Sequence, residues 1–538
     1  MGAASAIAAS TGFGRLSVPL SQESPLQMEL LGKACEVVVA SETGCIVSES
    51  TFDRGRRTPS FISAQSSSVR SLIVKTSLTL GGLLIGGVAV LLGQFQANAL
   101  PGGEDGGVAA GPDVIVGAIP DVASYGSATV NGVVTRAYAF GTTSCNIGTT
   151  QLDWYASPNN QHPYIPMNMY RFYNGRFEQI GMSWGKHGFC ALQQTLCGSC
   201  QSAGSGCPSL LGVGCSDPYS ASLNGSQGDL GWRKEVNAAT GAFPGTFNSG
   251  APSAAATIGR RLQVAQNDLS TTNFPGAKYV AEGQYIHPDD AASGNDNNNA
   301  SWREFTVSST YAITLSGATK QQQPAIQAWK NFDPTVNLLF VDVEGDGRFV
   351  VGFTVRDLGG GNWRYEYAIQ NLNSDRSGQS FTIPLPSGVT ISNVGFKDVH
   401  YHSGDPYSGT DWTSTVTSSS IKWETQTYAV NQNANALRFS TMYNFWFDAN
   451  SGPATANPAS SLGLFKPGAA GAPTSASFVV ATPAAISTPT PGDFNNDGVV
   501  NGTDLATLLG AWGGTGGDIN GDGTTNGADL SILLGNWG

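Results

Sequence analysis

Arg348-Phe349-Val350-Val351-Gly352-Phe353-Thr354-Val355 is the stretch on which the fold turns. Its odd positions are all apolar, a period of two that sets Phe349, Val351, Phe353 and Val355 on one face of an extended chain. The run ahead of it, Gly345-Asp346-Gly347, is turn chemistry. Similar apolar-rich stretches recur at 363–369, 380–385, 439–447 and 476–481, divided by Gly, Asn, Asp and Ser, with little helical periodicity. Short strands at this spacing predict a mainly β protein with an antiparallel β-sandwich over 276–481. The preceding segment, 112–275, mixes turns, cysteines and short strands; it reads either as a separate cysteine-rich β/irregular domain or as a decorated part of the same sandwich.

Export is the next inference. Lys75, an apolar run from about Leu78 to Leu92, and Ala97-Asn98-Ala99 follow the order of a secretory signal peptide, expected over 74–99 with cleavage after Ala99. The run is shorter than the roughly twenty apolar residues a membrane span needs. A membrane therefore enters only if this segment stays uncleaved. Residues 1–73 show no clear hydrophobic period and are expected to be a non-native upstream extension, translation starting at Val74. The expected localisation is secreted, extracellular or at the cell surface. With 12% charged residues and a net charge of -12, the chain lacks the basic surface that nucleic-acid binding requires.

Six cysteines follow the export signal: Cys145, Cys190, Cys197, Cys200, Cys207 and Cys215. An even, clustered count in an exported chain predicts disulfides that staple a region poor in apolar side chains; six cysteines admit fifteen pairings. Cys197-Gly198-Ser199-Cys200 also has the spacing of half a zinc knuckle, but the second Cys-x-x-Cys that would complete it is missing.

The tail carries one motif twice, twenty-five residues apart. Asp493, Asn495, Asp497, Gly498, Asn501 and Asp504 are matched by Asp518, Asn520, Asp522, Gly523, Asn526 and Asp529, at loop positions 1, 3, 5, 6, 9 and 12. Position 7, Val499 or Thr524, supplies a backbone carbonyl. A calcium ion takes six to eight oxygen ligands, and glycine at position 6 permits the sharp turn that lets carboxylates converge. Two Ca2+ ions are expected, one in each loop. They would cancel four of six charges: no Lys or Arg follows Lys466, and these six aspartates are the only acidic side chains beyond it. After each loop, Leu505, Leu508, Leu509 and Trp512 are matched by Leu530, Leu533, Leu534 and Trp537, at i, i+3, i+4, i+7. The two helices are expected to bury these stripes against each other. Asp504 and Asp529 would serve both as last loop ligand and as negative charge at a helix start. Residues 482–491, rich in Pro, Thr and Ala, read as a stiff linker to this module.

Over residues 492–538 the chain resembles the type I dockerin, a duplicated calcium-loop and helix module of extracellular polysaccharide-degrading enzymes and cell-surface proteins. The ligand spacing, the Asp at position 12 and the duplication carry the resemblance. It implies calcium as cofactor, a cohesin-like or cell-surface protein as partner, and an association with polysaccharide breakdown. At loop positions 10 and 11, where cellulosomal dockerins usually present Ser/Thr pairs, this chain has Gly502-Thr503 and Gly527-Ala528.

Within the body several constellations invite chemistry. Asp342-Val343-Glu344-Gly345-Asp346-Gly347 reads as a hairpin turn or half a calcium loop, with Phe353 where the last ligand would stand. His400 and His402 alternate on an expected strand near Asp405, either a metal pair or surface histidines. Glu178, Glu282, Glu304 and Glu366, with His287-Pro288-Asp289-Asp290, supply carboxyls for glycoside hydrolysis, which needs two of them about 5–9.5 Å apart across a cleft. Trp184-Gly185-Lys186-His187-Gly188-Phe189-Cys190 is similar to the second active-site segment of T2-type ribonucleases, although Ser183 stands where those carry glutamate. The other reading of His187 is a structural histidine beside a disulfide. Trp363, Tyr365, Tyr367, Trp412 and Trp423 read as a sugar platform or as core filling. Three function classes follow: a non-catalytic extracellular binding or structural protein tethered through its tail, an O-glycosyl hydrolase acting on extracellular polysaccharide, and another secreted or metal-dependent hydrolase using His187 or the His400/His402 pair.

Overall fold

A computed structural model describes residues 110–247, 255–486 and 489–538; the expected upstream extension and signal peptide lie outside them. The first large sheet is built from β1 (Val122–Val130), β2 (Val133–Phe140), β3 (Met167–Tyr173), β4 (Arg176–Met182), β5 (Leu262–Ala265), β6 (Lys278–Gln284), β7 (Ala300–Val307) and β8 (Ile313–Leu315). Its eight strands run in the order β8-β7-β6-β3-β4-β5-β2-β1, all antiparallel. The boundary expected at 275/276 thus cuts through this sheet. Strand β6 is hydrogen-bonded along β3, with Glu282 opposite Asn168, so β6–β8 belong to the first sheet and not to the sandwich.

The sandwich begins instead at β9 (Asn337–Asp342) and continues through β10 (Arg348–Gly359), β11 (Asn362–Asn371), β12 (Gly378–Pro384), β13 (Ile391–Lys397), β14 (Thr413–Val416), β15 (Ser420–Glu424), β16 (Thr441–Ala449), β17 (Ala459–Leu464) and β18 (Ser475–Val479). One five-stranded sheet has the order β9-β10-β11-β16-β13 and the other β14-β15-β12-β17-β18. Between them Phe349, Val351, Tyr365, Tyr367, Phe445 and Phe447 of one sheet meet Phe381, Ile383, Trp423 and Leu462 of its partner. The odd positions of β10 face this core, as the alternation requires. Tyr365, Tyr367, Trp412 and Trp423 are buried core side chains and offer no platform.

The even positions explain the apolar Val350. Val350, Ala368 and Met442 project from the other face of the same sheet and pack on Tyr170, Val280 and Trp302 of the eight-stranded sheet and on Trp329 of the short helix Gln327–Phe332. Strand β10 lies in a middle layer buried on both sides, the situation in which strands become continuously apolar. The opposite face of the eight-stranded sheet packs Tyr138, Met167, Leu262 and Phe305 against Val114, Val116 and Trp154 of the cysteine-rich part. There Cys145–Cys197, Cys190–Cys207 and Cys200–Cys215 are disulfides. Cys197 and Cys200 bond to different partners, which removes the zinc knuckle.

The expected linker is partly absorbed into the sandwich. Thr482 is buried and accepts a backbone hydrogen bond from Ala454, Ala484 donates to Gly452 and Ile486 to Ser387. Among the described residues no helix is long and apolar enough to cross a membrane.

Candidate functional site

The two tail loops have nearly the same hydrogen-bond plan. Helix α1 (Gly502–Gly510) is capped by Asn501, whose side chain accepts from Thr503 N at 2.8 Å; α2 (Gly527–Gly535) is capped by Asn526, which accepts from Ala528 N at 2.7 Å. Asp504 and Asp529 complete capping boxes, returning to the N–H of Asn501 at 3.0 Å and of Asn526 at 2.8 Å. Their other oxygens accept from loop amides: Phe494 and Asn495 donate to Asp504, Ile519 and Asn520 to Asp529. These backbone donors hold both carboxyls below the usual aspartate range. Both side chains are buried, at the junction of loop and helix.

The remaining positions join the same network. Asp493 accepts from Asp497 N and Gly498 N at 3.2 and 2.9 Å, and Asp518 from Asp522 N and Gly523 N at 3.1 and 2.7 Å. The Asn495 amide donates to Asp497 and the Asn520 amide to Asp522. The carbonyls of Val499 and Thr524 accept from Asn501 and Asn526. Each of the twelve expected positions thus takes part in hydrogen bonds within its own loop, six in each. Among the described residues no three His, Cys, Asp or Glu side chains are grouped so that they could together hold a metal ion. The donor set still fits a hard cation: each loop presents three carboxylates, two amide oxygens and a carbonyl, all oxygen.

Burial of the helical stripes is a correction. Val500, Leu508 and Leu533 are buried, with Leu505 and Leu530 packed against them. Leu509, Trp512, Leu534 and Trp537 are 51%, 51%, 52% and 48% exposed. The helices end at Gly510 and Gly535, so neither tryptophan rides on the helix face that its spacing suggested. Two nine-residue helices also share a seam too narrow to cover both leucines of an i, i+1 pair.

The body's carboxyls are largely committed. Glu178 pairs with Arg171 at 2.6 Å, and Glu366 with Arg176 at 2.8 Å and Arg364 at 3.3 Å. Glu282, buried between the sheets, accepts from Asn168, Tyr170, Gln370 and the N–H of Ala325. Glu304 is half-buried on β7. In the short helix Pro288–Ala292, Asp290 is buried and accepts from Val114 N, while Asp289 accepts from Asp153 N. Asp346 closes the β9–β10 turn, accepting from Ser374 Oγ and from the N–H groups of Asp375 and Arg376, which is structural work rather than half a calcium loop.

His187 is buried and shares a 3.0 Å hydrogen bond with His162. Phe247 stacks on it at 3.8 Å between ring centroids. Burial lowers the pKa of His162 to about 4 and of His187 to about 2. This is the structural histidine, beside a disulfide at Cys190. The His162 partner had no signal in linear spacing.

His400 and His402 are not on a strand: β13 ends at Lys397. His400 is exposed and His402 buried. The His402 Nδ1 accepts from Gly404 N at 3.1 Å, which spends the lone pair a metal would need and leaves the hydrogen on Nε2. The segment nevertheless lines a cavity of about 360 Å³ beneath the tip of the β1–β2 hairpin. Its walls include Val133, Val264, Asp398, Ser403, Asp405 and Tyr407, and none of its lining residues is Lys or Arg. Burial pushes the Asp405 carboxyl up to about 6.

Residues 491–535 match the family model described as Dockerin type I domain. No curated protein matches the chain. Dockerin domains in general bind calcium and cohesin, and are typical of extracellular or cell-surface proteins. The C-terminal segment of this chain is a dockerin type I domain, following a β-rich, disulfide-bonded body that matches no family.

Proposed function

We propose that this chain is a secreted dockerin-bearing protein that holds two calcium ions in its tail, docks through that tail to a cohesin-like or cell-surface protein, and carries a non-catalytic binding or structural body associated with polysaccharide degradation. The observation that carries this reading is the near-identity of the two loops, each ending in a buried aspartate that also caps a helix. Asp493, Asn495, Asp497, Val499 O, Asn501 and Asp504 would hold one ion, and Asp518, Asn520, Asp522, Thr524 O, Asn526 and Asp529 the other. Calcium there would draw the three carboxylates of each loop together, neutralise them and couple loop closure to helix formation. The half-exposed Leu509, Trp512, Leu534 and Trp537 are the apolar surface left for a partner.

The hydrolase alternative is less well supported, because Glu178, Glu282 and Glu366 are held by ion pairs or buried donors. Calorimetry of the full chain tests the main reading. Two sites are expected, one lost in Asp504→Ala and the other in Asp529→Ala; no heat on adding calcium overturns it. Release of reducing sugar from a polysaccharide panel by the purified chain would replace the non-catalytic assignment.

A further inference from the structure

We propose that the Asp405–Pro406 peptide bond is a self-cleavage site, at which the Asp405 side chain is the nucleophile and the chain divides itself within the loop joining β13 to β14. The event happens once per molecule and turns over no substrate. It goes beyond the reading of the tail and needs neither calcium nor a partner.

The chain has three Asp-Pro bonds, after Asp217, Asp333 and Asp405. Each sets a carboxyl where it can close a five-membered ring on its own carbonyl carbon, and each would expel the proline nitrogen as a secondary amine. They differ in whether the carboxyl is free to attack. Asp217 accepts from Leu192 N at 2.8 Å on one oxygen and from Trp154 Nε1 at 3.1 Å on the other. Asp333 accepts from Thr335 Oγ1 at 2.6 Å and from Arg356 at 3.1 Å, again one on each oxygen. Asp405 is held on Oδ1 alone, by Trp184 Nε1 at 3.1 Å, and its Oδ2 has no hydrogen-bond partner. A buried oxygen without donors or water keeps its lone pairs for the neighbouring carbonyl. Burial pushes the Asp217 and Asp405 carboxyls alike up to about 6, so both supply the proton that the leaving nitrogen needs, and the unpaired oxygen distinguishes Asp405.

The loop holds the chain on both sides of the bond. Upstream, Asp405 N donates to the His402 carbonyl at 2.8 Å and Ser403 N to Gln263 Oε1 at 3.0 Å. Downstream, the Arg438 guanidinium lies 3.7 Å over the Tyr407 ring and Ser408 N donates to the Asn433 carbonyl at 2.8 Å. Pro406 between them is exposed, which gives water access to the cleaved end. In the reaction Oδ2 bonds to the carbonyl carbon of Asp405, the C–N bond to Pro406 breaks and its nitrogen takes the carboxyl proton. One water then opens the cyclic anhydride, leaving two carboxyls on Asp405 and a free amino end on Pro406. The particle stays whole, because beyond the cut β16 remains paired with β11, and β15 and β17 with β12.

The purified full chain is held at about pH 5.5 for several days and sampled by denaturing gel and intact mass. Two fragments are expected, one ending at Asp405 and one beginning at Pro406, while gel filtration shows a particle of unchanged size. The bonds after Asp217 and Asp333 should stay whole. In concentrated urea at the same pH, where the fold no longer distinguishes the three bonds, the preference for Asp405 should vanish. Asp405→Asn should abolish cleavage. Pro406→Ala, at an exposed position, should slow it tenfold or more with the melting temperature unchanged, so a folding defect in the first variant cannot imitate the result. An intact chain, equal cutting at all three bonds of the folded chain, or wild-type cleavage in both variants overturns the proposal.

Discussion

Gly498 and Gly523 take φ values of +87° and +93°, and a Cβ added at either would meet nothing within 4 Å. Only backbone strain opposes a side chain there, so Gly498→Ala or Gly523→Ala should cost about 1–2 kcal/mol, read as a raised calcium midpoint for helix formation by circular dichroism. Gly502 and Gly527 give the opposite sign: they open α1 and α2 at ordinary φ with equally open space, and Gly→Ala there should stabilise by up to about 1 kcal/mol. If both pairs shift the midpoint the same way, the left-handed turn is not what selects glycine in the loops. In the body, the His162–His187 pair sets a pH dependence. His162 Nδ1 donates to the Tyr155 carbonyl at 2.9 Å, so its Nε2 accepts and His187 Nδ1 donates. Both bases have lowered pKa values in the fold, about 4 and about 2, so below about 6.5 the unfolded chain takes up protons that the folded one refuses. Their stabilising contribution is complete above that pH and is lost as pH falls toward those values, at up to about 1.4 kcal/mol per pH unit each. His187→Gln should flatten the dependence of melting temperature on pH between 6.5 and 4.5 relative to wild type; an unchanged slope would remove the pair from this role. Asp217, Asp296 and Asp405, pushed up to about 6 by burial, act in the opposite sense, which is why the comparison with wild type is the informative one.

Among the elements, the strands were the most legible. The alternation in 348–355 marks β10, and the runs at 363–369, 380–385, 439–447 and 476–481 fall within or across β11, β12, β16 and β18, because a half-buried pleat writes its two faces directly into the sequence. The loop-helix repeats were legible for a different reason, since metal-ligand spacing is fixed by local geometry. What misled was the extent of the stripes after each loop. A period of 3–4 identifies residues on a shared helical face, but it does not say where the helix stops, and α1 and α2 stop before Trp512 and Trp537. The buried and exposed halves of the stripe should therefore separate by mutation. Leu508→Ala or Leu533→Ala removes a fully buried side chain and should cost about 2–5 kcal/mol, enough to abolish helix in so small a core even with calcium. Leu509→Ala and Leu534→Ala, half exposed, should keep the calcium-induced helix and lose only partner capture. Equal loss of helix in all four variants would mean that the exposed leucines belong to the core.

For the whole molecule, the sequence does not show how the layers are joined, because the joining residues come from four distant segments and have no common period. The boundary at 275/276 failed for this reason: β6–β8 resemble sandwich strands in pattern, and only their pairing to β3 assigns them to the first sheet. At the junction, Arg233 is buried and donates to the carbonyls of Ser183, Met167 and Ser440 at 2.6, 3.0 and 3.0 Å and to Asn168 Oδ1 at 2.9 Å. The amide of Asn168 reaches both Glu282 and Ser440, and Gln179 Oε1 accepts from the N–H of Met442 at 2.7 Å. Charged groups buried in a network cost little while every partner is present and a great deal once one is removed. One guanidinium thus satisfies acceptors on the eight-stranded sheet, its following loop and the sandwich together, and the two should unfold as one unit. Arg233→Met keeps much of the apolar bulk but takes one donor from each of four acceptors and leaves the Ser183 carbonyl without its partner, while Met167, Ser440 and Asn168 keep a bond from Ser183 or Gln179, for a loss of about 1–3 kcal/mol. Calorimetry of the wild-type body should show a single transition, and the variant should split it into a less stable sheet and a sandwich held by its own core. A variant that still melts once at the wild-type temperature would place the coupling in the apolar contacts of Trp302, Trp329 and Val350 instead, and Trp302→Ala would then be the substitution that divides the molecule.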